Sequence, residues 1–171
     1  LELRGHGLSE GDAEEGKNAG DIIEAHGIIS GSFGPVGLVA LGSVATTAFV
    51  IGSDEGVPVH ILVSPLPNPH VDLGETRPAM RGIFSGTGDV ESDGLVRPVY
   101  QKVLGQNMWF STGSDKHGMD LLEANPTMID QIAMFLRRYL IGHHLAWIAE
   151  HQVGDGGGEQ SRPSRVSRGD G

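Results

Sequence analysis

Residues 35–54 read PVGLVALGSVATTAFVIGSD, and this stretch decides the fold. PVGLVALG (35–42) is a short, continuous apolar run bounded by Pro and Gly, the pattern of a strand buried on both faces. SVATTAFVIGSD (43–54) follows without a spacer and reads as a helix of small residues, its β-branched members lowering the propensity.

Outward from this pair the same alternation recurs. DIIEAHGII (21–29) is weakly helical, with Gly27 near its end. VPVHILVSP (57–65) reads as a second buried strand, stopped by Pro65, and AMRGIFSGTGD (79–89) as a third that runs into a Gly-rich loop. DGLVRPVYQKVLG (93–105) reads as a helix entered late because of Pro98, and QNMWFSTG (106–113) as a fourth strand. TMIDQIAMFLRRYL (127–140) is the clearest helix. Met128, Ile129, Ile132, Phe135, Leu136 and Tyr139 fall on one stripe, with Asn125 as its cap and Pro126 in its first turn. Strands alternating with helices imply an α/β domain over 1–152, a mostly parallel sheet with helices on both faces. VGDGGGEQSRPSRVSRGDG (153–171) has almost nothing apolar to bury, so a disordered tail is expected there.

Composition removes several function classes. The 171 residues carry a net charge of −10, which argues against a nucleic-acid surface, because phosphate binding needs clustered Lys and Arg. No apolar run approaches the roughly 18 residues of a membrane span. Absence of cysteine excludes disulfides, Cys-ligated metals and a thiol nucleophile. His144 and His151, seven apart, share a helix face with no i, i+4 partner, so no metal is expected; Leu145, Ile148 and Ala149 instead form a packing stripe against the sheet or a partner. No dinucleotide or P-loop pattern is present, and Gly-rich pieces such as SGSFG and SGTGD read as turns. The opening at Leu1 shows neither Met nor a signal pattern, which leads us to expect a chain that starts inside a longer gene product. Localisation is not legible, and the cytoplasm is the expectation if no upstream signal exists.

In parallel sheets, ligands and reactive groups collect at the carboxyl ends of the strands. Ser43, Asp89 and His117 each directly follow an expected strand. A hydroxyl nucleophile needs a base to take its proton, and the base needs a carboxylate to fix its tautomer. Glu91 and Asp93 compete with Asp89 for that last role, while Asp115 and Asp120 flank His117 too closely in sequence to reach the correct face of its ring. The chain order Ser, Asp, His is that of the α/β-hydrolases.

Several segments resemble that superfamily, in particular its dienelactone-hydrolase-like and serine-esterase-like members. LELRGHGLSEGD (1–12) is similar to the segment in which a strand ends in Arg-Gly-His-Gly-x-Ser. VGLVALGSVATTA (36–48) resembles the strand, nucleophile elbow and helix; VPVHILVSPLP (57–67) resembles the next strand. RPAMRGIFSGTGD (77–89) resembles the strand carrying the catalytic acid, and SDKHGMDLLEANPTMIDQIAMFLRRYL (114–140) the His-Gly loop and closing helix. The resemblance covers about residues 1–140. It implies an ester or related acyl substrate, with Ser43 attacking, His117 shuttling the proton, Asp89 orienting His117 and the amide of Val44 in the oxyanion hole. It also implies a structural role for His6 and no cofactor.

Two features depart from the family pattern. The elbow Gly-x-Ser-x-Gly is replaced by Leu41-Gly42-Ser43-Val44-Ala45, and a second register puts Gly42 at the nucleophile position, leaving no nucleophile. The family's first three strands have no counterpart, so the fold is expected to be N-terminally incomplete, with an upstream segment or partner supplying those strands. The alternative function is therefore a catalytically degenerate relative, or a C-terminal fragment, that serves as a binding or structural domain.

Overall fold

Four strands, β1 (Gly37–Leu41), β2 (Val59–Val63), β3 (Ala79–Gly86) and β4 (Gly105–Thr112), pair in the order β1-β2-β3-β4, every pair parallel. The structure is a computed structural model and describes residues 15–68, 73 and 77–152. The Arg4-Gly5-His6-Gly7 motif and the expected tail at 153–171 lie outside the described residues. Helices α1 (Glu15–Phe33), α2 (Val44–Asp54), α3 (Arg97–Tyr100), α4 (Gly118–Ala124) and α5 (Pro126–Gln152) surround the sheet, and a π-helical segment, Val90–Val96, leads into α3.

The sheet divides the core in two because successive side chains of a strand point to opposite faces. On β2, Leu62 joins Phe49 of α2, Ile83, Val96 and Tyr100 on one side. Its neighbours Ile61 and Val63 join Phe84, Leu121, Met128, Ile132 and Phe135 under α4 and α5 on the other. All five β2 residues are buried, as a central parallel strand requires. Burying each large side chain of this set contributes about 1.5–3 kcal/mol. Gly82 lets the α5 side close up: a Cβ there would sit 3.0 Å from Ile61 Cδ1 and 3.4 Å from Phe135 Cε2.

Local readings are revised in five places. The helix expected at 21–29 extends over Glu15–Phe33. The helix expected at 93–105 is instead the π segment and four-residue α3, with Pro98 in the first turn of α3. Asn125 directly precedes α5, where its carbonyl accepts from the Met128 N–H at 2.9 Å, and its side chain serves the preceding helix. It closes α4, an element the sequence reading treated as loop, by donating from Nδ2 to Leu121 O at 2.8 Å. Helix α5 runs on to Gln152, and Ile129 turns away from its buried stripe into solvent. Leu145 and Ala149 are exposed too; the C-terminal half of α5 instead lays Trp147 over Gly34, where a Cβ would meet the indole at 2.6 Å.

Two basic groups are buried on the α2 side. The Arg81 guanidinium lies 4.6 Å over the Phe49 ring and donates to Leu104 O, to Arg77 O at 3.0 Å and to Asn107 Oδ1 at 3.3 Å; burial pulls its pKa down to about 10. His60 sits edge-on to Phe49, its nitrogens beside the Gly52 and Val57 backbone without a full hydrogen bond. Desolvation, then the nearby Arg81 charge, lowers its pKa to about 4, so it is neutral in the folded protein near pH 7.

Candidate active site

Strands β1, β3 and β4 each deliver one element of the site from their carboxyl ends. After β4, His117 is the N-cap of α4 in an extended conformation, followed by Gly118 at φ +54. After β3, Asp89 is the N-cap of the π segment, and its Oδ1 accepts from the Ser92 N–H at 3.2 Å. Its other oxygen, Oδ2, lies 2.6 Å from His117 Nδ1. Asp89 is 8% exposed and His117 39%, so the carboxylate is shielded while the imidazole opens outward. Donation from Nδ1–H to the carboxylate holds the tautomer that leaves the Nε2 lone pair free, the arrangement a general base requires.

The glycines of SGTGD (85–89) explain how two loops come close enough for this contact. A Cβ on Gly86 would stand 2.3 Å from Ser114 O, and one on Gly88 3.0 Å from Asp115 Cα. The backbones touch instead: Thr87 N–H donates to Thr112 O at 2.8 Å, and Gly88 N–H to Ser114 O at 2.9 Å. The His117 loop is thereby fastened to the Asp89 loop. The neighbouring acids point elsewhere. Asp93 Oδ1 accepts from Arg97 Nη2 at 2.5 Å and Ser85 Oγ at 2.7 Å, and the bond from Arg97 holds its carboxyl below the usual range. Arg97 also donates to Ser111 Oγ at 2.9 Å and stacks 4.2 Å over Trp109, and Glu91 is exposed.

The third element, after β1, is Gly42. Its φ of +63 lies in the left-handed region, and its N–H is tied to Val63 O at 2.9 Å. A Cβ at Gly42 would stand 3.5 Å from His117 Nε2 and 4.0 Å from Cδ2, with no other atom among its three nearest neighbours within 4 Å. A side chain at position 42 would therefore face His117 Nε2. Ser43, one residue on, has helical angles (φ −64, ψ −32), is exposed, and makes no side-chain capping bond to α2. Ala45 N–H bonds back to Gly42 O at 3.2 Å, and the Val44 N–H, at the first turn of α2, has no intrahelical acceptor. The site thus brings Asp89, His117 and the Gly42 backbone together, with Ser43 and Val44 at its margin.

One residue at this end of the sheet escaped sequence reasoning. Ser64 directly follows β2 at φ +46, fully buried, its Oγ without a hydrogen-bond partner. Strain of that kind in a non-glycine residue is typical of functional edges, but nothing in the residue types of 57–65 announces it. Among the described residues, no three His, Asp or Glu side chains gather as metal ligands. His144 and His151 instead stack on Trp147. No described helix is long and apolar enough to cross a membrane.

A parallel sheet crossed by α2, with an elbow after β1, an acid after β3 and a histidine after β4, defines a fold of the α/β-hydrolase kind. Among solved structures the chain is similar to an alpha-beta serine hydrolase homologue from Coxiella burnetii, with a TM-score of 0.60 at 17% identity. That likeness covers 80% of this chain and 65% of the other, so the present chain spans less than two thirds of its solved relative. No family model and no curated protein matches the sequence.

Proposed function

We propose that this chain hydrolyses a carboxylic ester or a related acyl group, with His117 as the base and Asp89 as the carboxylate that orients it. The observation that carries the reading is the 2.6 Å contact between His117 Nδ1 and Asp89 Oδ2, with Nε2 aimed at the elbow. In the triad form of the reading, Ser43 Oγ attacks the carbonyl and His117 passes its proton to the leaving alcohol. The amide of Val44 faces the developing oxyanion.

The geometry at Gly42 favours a second form. With no side chain between Nε2 and the elbow, His117 takes the proton of a water that adds to the carbonyl directly. The same proton then goes to the departing alkoxide, giving acid and alcohol without a covalent intermediate. Labelling with a fluorophosphonate, together with hydrolysis of p-nitrophenyl acetate, separates these forms. Adduct formation lost in Ser43→Ala supports the triad; turnover that survives Ser43→Ala without an adduct supports water. A folded protein showing neither adduct nor turnover makes the chain a degenerate binding domain.

A further inference from the structure

A cleft of about 390 Å³ opens between the first turn of α2, the segment after β2 and the π segment leading into α3. Its volume lies at the lower end of the range, a few hundred to about 1,000 Å³, in which small-molecule sites fall. Thr46, Leu95, Val96, Val99 and Tyr100 form much of its wall, and Asn68 and Lys102 also line it. The cleft and the His117–Asp89 pair are framed by the same two elements. Gly42 immediately precedes α2 and Thr46 lies in its first turn; Asp89 caps the π segment and Leu95 and Val96 end it.

The polar atoms of the wall define what fits. Tyr100 Oη donates to Thr46 Oγ1 at 3.1 Å, and Thr46 Oγ1 donates to Leu66 O at 2.6 Å. Both hydroxyl protons are thus committed within the protein. Tyr100 also stays protonated, because burial pushes its pKa up to about 12. The end formed by Tyr100 and Thr46 therefore offers neither a charge nor a free donor, and a carboxylate placed there would lose its hydration without replacement; Lys102, the one charged residue of the lining, is exposed. Leu95 and Val99, 57% and 46% exposed, form an apolar lip that gains by being covered.

We propose that this cleft binds an uncharged apolar group, an alkyl chain or a single ring, belonging to the molecule on which the His117–Asp89 pair acts. The second half of that statement rests on the hydrolase reading. The test is titration of the full chain with butan-2-one, hexan-2-one and octan-2-one, followed by ¹H–¹⁵N NMR. The expected result is saturable shifts centred on the Thr46, Leu95 and Val99 amides, with affinity rising roughly threefold to fourfold per methylene. Val99→Trp and, independently, Leu95→Trp replace surface residues with a ring that fills the lip. Each is expected to weaken octan-2-one at least tenfold, whereas His117→Ala leaves binding unchanged. Shifts that do not saturate, lie elsewhere, or persist undiminished in both tryptophan variants overturn the assignment of the cleft. Binding in a wild-type protein that hydrolyses no p-nitrophenyl ester keeps the cleft and removes the hydrolase reading. Hydrolysis with the same preference from acetate to octanoate in wild type and Val99→Trp overturns the link between cleft and substrate.

Discussion

Putting a hydroxyl at position 42 tests whether the elbow is built around that residue. A Cβ on Gly42 lies 3.5 Å from His117 Nε2, and Oγ adds one further bond of roughly 1.4–1.5 Å. A rotamer turned toward the ring brings Oγ inside the hydrogen-bond range of about 2.6–3.2 Å. Nothing crowds the added atoms, so the cost is conformational: a non-glycine residue at φ +63 loses about 1–2 kcal/mol. For a chain of this size that lowers Tm by about 2–8 °C. The assay is intact-mass analysis after fluorophosphonate treatment in a Ser43→Ala background, so that Ser43 cannot contribute. Gly42→Ser in that background is expected to take up one adduct, and adding His117→Ala is expected to abolish it. A folded Gly42→Ser protein without an adduct, or one labelled equally without His117, refutes the placement of position 42 opposite His117 Nε2.

Three further outcomes follow from the same geometry. Asp89→Asn keeps the cap on the Ser92 amide but loses the carboxylate, so ester turnover should fall by about 10²-fold or more; Asp89→Ala should in addition lose about 0.5–2 kcal/mol in urea unfolding. Gly86→Ala drives a methyl to 2.3 Å from Ser114 O, and thermal unfolding should register about 1–3 kcal/mol of destabilisation together with weakened turnover as the two loops part. The folded-state pKa of His60, about 4, lies below its unfolded value of 6.5, so the unfolded chain binds the extra proton. Stability should fall by about 3 kcal/mol as pH drops from about 6.5 to about 4, and His60→Leu should flatten that slope in urea titrations across the window.

The buried strands were legible because each is a short apolar run closed by Pro or Gly, and a parallel sheet buried on both faces writes just that signal. The long helix was legible through its stripe, but Ile129 shows the limit. A stripe pattern cannot say which flank of it meets the sheet and which meets water. The π segment and α4 were missed because their identity is set by loop contacts, the Asp89 cap and the Asn125–Leu121 bond, rather than by periodicity. Asp89 and His117, which lie 2.6 Å apart, could be picked out as a candidate pair by position after a strand. The choice between Gly42 and Ser43 could not, since it depends on which of them takes the left-handed turn, and adjacent small residues look alike in sequence. The Arg97 clamp on Asp93, which removes a competing acid, was equally invisible: Ser85, Asp93, Arg97 and Ser111 converge only through the strand register.

The proposed role of the His117–Asp89 pair is acyl hydrolysis. Its most direct measurement is the turnover of p-nitrophenyl butyrate by the folded wild-type chain and by folded His117→Ala. Turnover by the wild type is expected above the buffer rate and to fall by about 10²-fold or more in the variant. Equal rates in the two proteins, or a wild-type rate no higher than buffer, contradict it.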